Sequence, residues 1–164
     1  MNKYFVIVIL VLGIALPVSA QNNMVIFGER DKVLSYRSRT TRAHSAQAFY
    51  AFDVPLPRNR GVAEVQIVFP VEMLSIFQPD NLEVRDRRTG RVIEVSEKAL
   101  NEEAGSVRLV MKQPIAAQAG QELEIISSGG TNPSRGMYRV SVSVLGTDAN
   151  PMFLGVGKWL VTIY

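Results

Sequence analysis

From residue 45 onward, apolar and polar positions alternate with a period of two. Ala48, Tyr50, Phe52 and Val54 share one side of the stretch Gln47 to Val54. Ala63, Val65, Ile67 and Phe69 face one way, with Glu64 and Gln66 facing the other. Val107, Leu109 and Met111 alternate with Ser106, Arg108 and Lys112, and Leu123 and Ile125 alternate with Glu122 and Glu124. The clearest run sets Tyr138, Val140, Val142 and Val144 against Arg139, Ser141 and Ser143. Each pattern predicts a half-buried strand, apolar toward a core and polar toward water. Proline and glycine punctuate the runs at Pro55, Pro57, Gly61, Pro70, Pro114, Gly120 and Gly129-Gly130-Thr131-Asn132-Pro133. Thr89-Gly90 predicts a tight hairpin between Leu82–Arg85 and Val92–Val95. Val33 to Arg37 adds an early edge strand, and Trp159 to Tyr164 a last one. Helical signal is confined to one or two turns at Val71 to Phe77 and another at Ser96 to Glu103, with Ser96 as its cap.

Short strands with regular turn signals predict an all-β sandwich or barrel. Outward positions carrying Glu, Arg, Lys and Ser argue against a lipid-facing barrel. In Gly136-Met137-Tyr138-Arg139-Val140 a tyrosine opens a strand two residues before an inward position. Ig-like sandwiches use such a tyrosine to bond back to the preceding corner; the alternative is a plain core tyrosine. The expected fold is an Ig-like, Greek-key β-sandwich of about seven to nine strands.

The first twenty residues follow a different pattern. Lys3 precedes an apolar run from Phe5 to Leu16, Pro17 breaks it, and Val18-Ser19-Ala20 supplies small residues for cleavage. This is the tripartite layout of a secretory signal peptide, expected to be helical. A membrane-spanning helix needs about 20 apolar residues, and no later stretch approaches that length. Removing those twenty from 164 residues leaves 144, the size of a single domain over 21–164. The chain has no cysteine, so lipoprotein processing is excluded and stability must come from packing without disulfides. The expected location is the periplasm or the cell surface.

Net charge is only +3, but its distribution is uneven. Arginines crowd the region before residue 92, notably Arg85, Arg87, Arg88 and Arg91, and Glu94, Glu97, Glu102 and Glu103 follow. Such a cluster can bind an acidic glycan, lipopolysaccharide or a phospholipid head group, or it can be a set of solvated strand edges. Ser127 to Gly136 is the second candidate, because its glycines can expose backbone N–H groups as an anion nest beside Arg135. The competing reading is a connection between strands. Nucleic acid is not an expected partner of an exported chain.

Catalytic and metal chemistry find little support. His44 is the single histidine and sits in a polar stretch, so neither a metal site nor a cofactor is expected. The sequence lacks GxSxG, HExxH and phosphate-loop motifs. Glu97, Glu102 and Glu103 are expected in a polar loop. Phe153 and Trp159, with Gly155 and Gly157, form either a sugar platform or, for Trp159, part of the core, with the glycines marking a bulge or a close backbone approach.

Asn132-Pro133, Gly136-Met137-Tyr138, Phe153-Leu154-Gly155-Val156-Gly157 and the closing Ile163-Tyr164 resemble a family of exported cyanobacterial proteins, domain of unknown function 2808. Phe49 to Pro55 and Val62 to Ile67 are similar in style. The resemblance implies a cell-envelope protein and brings no catalytic residues. The end of the chain is also similar to periplasmic copper-carrier domains, which are Ig-like. Their histidine before the proline is Asn150 here, so only the architecture carries over. The expected function is a non-catalytic structural or interaction module of the envelope. A binding module for anionic glycan or lipid, and a copper-handling domain, are the alternatives.

Overall fold

The computed structural model describes residues 27–28, 31–118 and 120–164. The expected signal peptide lies outside them. Two sheets face each other. The six-stranded sheet contains β1 (Phe27–Gly28), β4 (Val62–Val68), β7 (Val95–Asn101), β8 (Ser106–Ile115), β10 (Gly136–Gly146) and β11 (Phe153–Ile163), in the order β1-β11-β10-β4-β8-β7. The five-stranded sheet contains β2 (Tyr36–Ser38), β3 (Ala48–Pro55), β5 (Leu82–Asp86), β6 (Val92–Ile93) and β9 (Glu122–Gly130), in the order β2-β3-β9-β5-β6. All pairings are antiparallel except β1 with β11. The molecule is an Ig-like β-sandwich. Its count of eleven described strands includes the two-residue β1 and β6.

The period-two pattern sets the inner faces. Val65, Ile67, Val107, Leu109, Val140, Val142 and Val144 point in from the larger sheet, and Tyr50, Phe52, Val54, Leu123 and Ile125 from the smaller, all nearly or fully buried. Trp159 on β11 joins the two layers. Its ring centroid lies 4.9 Å from that of Phe52 on β3, and its Nε1 donates to the Asp53 carbonyl at 3.2 Å. Phe52 also stacks on Tyr50 at 5.5 Å and on Phe77 at 5.4 Å. Trp159 is therefore core, and its fully buried ring makes truncation costly, by about 3–5 kcal/mol.

Residues 96–101 do not form the expected helical turn. They belong to β7, paired with β8 from Val95↔Met111 to Asn101↔Ser106 with a bulge at Ser96. Glu97 thus sits on a strand rather than in a loop, while Glu102 and Glu103 follow at the turn. The alternation is masked because β7 is an edge strand, largely wet on both faces. Lys98 reaches from it to the carbonyls of Pro79 and Leu82, at 3.1 and 2.6 Å. The helical signal at Val71 to Phe77 yields one short 3-10 turn, Val71–Met73, and a second, Pro79–Asn81, lies beyond it.

The Tyr138 hydroxyl donates to the Ser134 carbonyl at 2.7 Å, so of the two readings its place left open this residue is the tyrosine corner. Both expected consequences of the glycines in β11 occur. The β10–β11 register jumps between Val142↔Gly157 and Ser143↔Gly155, which makes Val156 the extra residue of a bulge. Gly157 has φ +153°, and a Cβ there would lie 2.6 Å from the Lys32 carbonyl. That close approach lets residues 32–34 run alongside β11, with Leu34 N–H donating to Lys158 and Lys158 N–H to Lys32, both at 2.8 Å.

Candidate functional site

Two places inherit the sequence candidates, and they lie at opposite ends of β9. The outer face of the five-stranded sheet begins at the Glu122 end. Because side chains alternate, Asp53 on β3, Glu122 and Glu124 on β9, and Glu83 and Arg85 on β5 all point away from the core. Asp53 is directly opposite Glu124, which is directly opposite Arg85. Arg37 on β2 pairs with Glu124 and lies 3.9 Å from Asp53. Arg87, just past β5, pairs with Glu122 and places Nε 3.0 Å from Asp53 Oδ1. Arg85 pairs with Glu83. Asp53 and Glu124, like charges on adjacent strands, are thus neutralised by Arg37 and Arg87 reaching in from either side, a ladder of ion pairs across the face.

Asp53 is the floor of this ladder. Its side chain is 7% exposed, and Oδ1 has no hydrogen-bond partner although the Arg87 guanidinium is close. Burial pushes the carboxyl above its ordinary range. Arg87 and Arg37 pull it down, and Glu122 pushes it up again. Arg87 is held more firmly protonated by its hydrogen bond to Glu122 and by the charge of Asp53. The opposite sheet repeats the theme more sparsely. Glu64 on β4 is also raised by burial, opposed by Arg108 at 3.7 Å, which it shares with Glu97.

Two shallow hollows flank the Arg37–Glu124 pair. One, of about 290 Å³, is lined by Arg37, Arg39, Phe49, Arg85, Glu124 and Ile126 among others; Arg39 lies over the Phe49 ring at 4.5 Å. The other, of about 500 Å³, is lined by Arg37, Arg87, Arg88, Gly120, Glu122 and Glu124. The structure therefore brings Arg85, Arg87 and Arg88 to one face. Arg91 instead lines a separate cleft of about 740 Å³ between β6 and the segment Lys112–Gln118. Arg135 is exposed near the other end of β9, about 25 Å away along a nine-residue strand.

That other end is a built corner. Asn132 is 1% exposed. Its Oδ1 accepts from the Tyr50 hydroxyl at 2.5 Å, and its Nδ2 donates to the carbonyls of Thr40 and Arg42 at 3.2 and 2.9 Å. Its backbone N–H donates to Ser45, and its carbonyl accepts from His44 N–H. The Thr131 N–H, available in principle to an anion, donates to Ser75 Oγ at 2.9 Å. A Cβ on Gly130 would come within 2.5 Å of the Ser75 carbonyl. Burial raises the Tyr50 hydroxyl to about 12, with Tyr36 adding to it. His44 is exposed, at φ 56°, on the loop before β3. Among the described residues no group of three His, Cys, Asp or Glu could hold a metal ion, and no helix is long and apolar enough to cross a membrane.

The arginines of this face were visible in the sequence, but their partners were not. Asp53, Glu122 and Glu124 come from strands far from Arg87 along the chain. The available signal was the outward position of all three in their strand alternations.

A family model described as a protein of unknown function, DUF2808, matches residues 24–163. The chain belongs to this family. Among curated proteins none matches it in sequence. Among solved structures, the crystal structure of BslA, a bacterial hydrophobin, is similar in fold, with a TM-score of 0.53 and 12% identity over 80% of this chain and 94% of that one. The collagen-binding domain of a Staphylococcus aureus adhesin aligns at a TM-score of 0.40 and 6% identity, covering 83% of this chain and 99% of that one. Self-complemented MyfA, the major subunit of Myf fimbriae from Yersinia enterocolitica, aligns at 0.35 and 8%, covering 80% and 98%. At these identities the family is joined to BslA by its sandwich architecture alone.

Proposed function

We propose that this family member is an exported, non-catalytic protein of the cell envelope that works as an interaction module. Its working surface is the outer face of the five-stranded sheet. The observation that supports this is the charge ladder. Arg37, Arg85 and Arg87 keep 62%, 40% and 41% of their side-chain surface exposed, although each is already ion-paired. A solvated ladder of this kind adds little stability, so it is a surface free to serve recognition. Export is supported by the N-terminal pattern of charge, apolar run and small residues. The sandwich, shared in outline with a bacterial hydrophobin, is an architecture compatible with a structural role.

The test is expression of the intact chain followed by cell fractionation and N-terminal mass analysis. The expected product starts near Gln21 and lies outside the cytoplasm. A cytoplasmic product retaining Met1, or turnover of envelope polymers by the purified protein, overturns the reading. Binding of an anionic glycan or lipid is a second reading. It is favoured by Arg88 and Arg91, which are exposed around the β5–β6 turn.

A further inference from the structure

The two hollows on the outer face of the five-stranded sheet share Arg37 and Glu124, so they adjoin as one trough beside β9. Arg37, Arg39, Arg85, Arg87 and Arg88 line it, against Glu122 and Glu124. Arg37, Arg85 and Arg87 have carboxylate partners in Glu124, Glu83 and Glu122. Asp53 lies beneath, 7% exposed and set against Arg37 and Arg87, so it presents little charge to solvent. Arg39 and Arg88 make no ion pair among the described residues. Arg88 does pull down the Asp86 carboxyl, but Asp86 Oδ1 is already taken by Thr89. Arg39 rests over the Phe49 ring at 4.5 Å, and a guanidinium held against a ring can still donate N–H groups to an anion. Each end of the trough therefore carries one guanidinium in surplus.

The separation of these two charges selects among anions. Arg39 N–H donates to the Phe49 carbonyl, and Phe49 is opposite Ser128; Arg87 N–H donates to the Glu122 carbonyl just before Arg88. From Glu122 to Ser128 is about 20 Å of strand. A free phosphate or one lipid head group would reach one hollow only. Between the arginines the apolar residues are sunk, with Ala51 and Ile126 both buried, so nothing there projects to enter a bilayer. β9 is hydrogen-bonded on both sides, to β3 and β5, so it offers an acidic peptide no strand pairing. A linear polymer of acidic sugars needs neither. We infer that this face binds a linear polysaccharide bearing carboxylate or sulfate groups, laid along β9, with Arg39 and Arg88 as its two anchoring cations. Arg37 and Arg87 lie between the anchors, and their wet pairs exchange a glutamate for a ligand anion at little cost. Glu122 and Glu124 compete with the ligand. Arg91 has no part, because it lines a separate cleft. The inference rests on the interaction-module reading and names the ligand of that surface.

The experiment is affinity electrophoresis and calorimetry of the intact chain against alginate and dextran sulfate. Neutral dextran, polyglutamate and phosphatidylglycerol vesicles are the comparison ligands. The expected result is binding to at least one acidic polysaccharide that falls about tenfold or more between roughly 50 and 500 mM salt. Arg39→Ala and Arg88→Ala should each weaken it about fivefold or more, with the melting temperature unchanged as the check on folding. Arg139→Ala removes the same charge from β10 of the opposite sheet and should change binding less than about twofold. Glu122→Gln should strengthen it about twofold or more, since a competing carboxylate is gone. Binding that survives removal of either anchor, or that falls equally with Arg139→Ala, overturns the inference. So does equal binding to neutral dextran, a preference for vesicles or polyglutamate, or no binding to an acidic polysaccharide; each leaves an interaction module standing. Hydrolysis of any polymer, or retention in the cytoplasm, overturns the underlying reading instead.

Discussion

The two ends of β9 carry the same kinds of residue to opposite purposes. At the Gly130 end, polar groups are turned inward and used up: Asn132 alone ties together Tyr50, Thr40 and Arg42. At the Glu122 end, polar groups are turned outward and, though paired, remain wet. The difference is one of burial. A hydrogen bond sealed from water leaves an expensive orphan when broken, whereas an exposed ion pair exchanges its partner for solvent at little cost. The glycine-rich loop is thus a structural corner, and the charged face is available for recognition.

The largest effect that can break this comparison comes from Asn132→Ala. It orphans the Tyr50 hydroxyl and two carbonyls, and should cost about 3 kcal/mol in urea unfolding. A loss below about 1 kcal/mol would show that water enters the corner freely. Next comes alkaline pH. Tyr50 has a folded pKa of about 12 against an ordinary value of 10.0. The neutral phenol is the favoured folded form, so its contribution is intact below pH 10 and disappears as pH rises toward 12. The loss should total about 2–3 kcal/mol and be absent in Tyr50→Phe. Gly130→Ala follows, at about 1–3 kcal/mol, because the Ser75 carbonyl must yield to the new methyl group. The smallest effect belongs to the other end. Arg37→Ala should change stability by less than about 1 kcal/mol, since Asp53 keeps Arg87. A larger loss there would make the ladder a structural brace, and the contrast between the two ends would vanish.

Strands with one dry face were legible in the sequence. β3, β4, β8, β9 and β10 all follow the alternation of their apolar residues, and Tyr138 and Trp159 take the places their neighbours imply. β7 was not legible, because an edge strand with Ser96, Glu97 and Lys98 in water shows no clean alternation. Outer-face burial was also hidden. Asp53 and Glu64 sit at polar positions of well-read strands, yet each is covered by its neighbours on adjacent strands. Of the candidate site, the arginines showed as a cluster in the chain. Their neutralisation did not, since it depends on which strands the sandwich places side by side.

The close approach at Gly157 has a consequence for the order of events during synthesis. Residues 32–34 lie along β11 through Lys158, and the next residues cross to the other sheet as β2, beside β3. Thr41 and Ala43 then exchange hydrogen bonds with Tyr164. The first part of the domain to emerge therefore waits for the last part before it can settle. Such distant pairings make closure slow and leave the β11 edge open until the end of the chain is free. That topology leaves residues 32–43 without their partners until the strand ending at Tyr164 is in place.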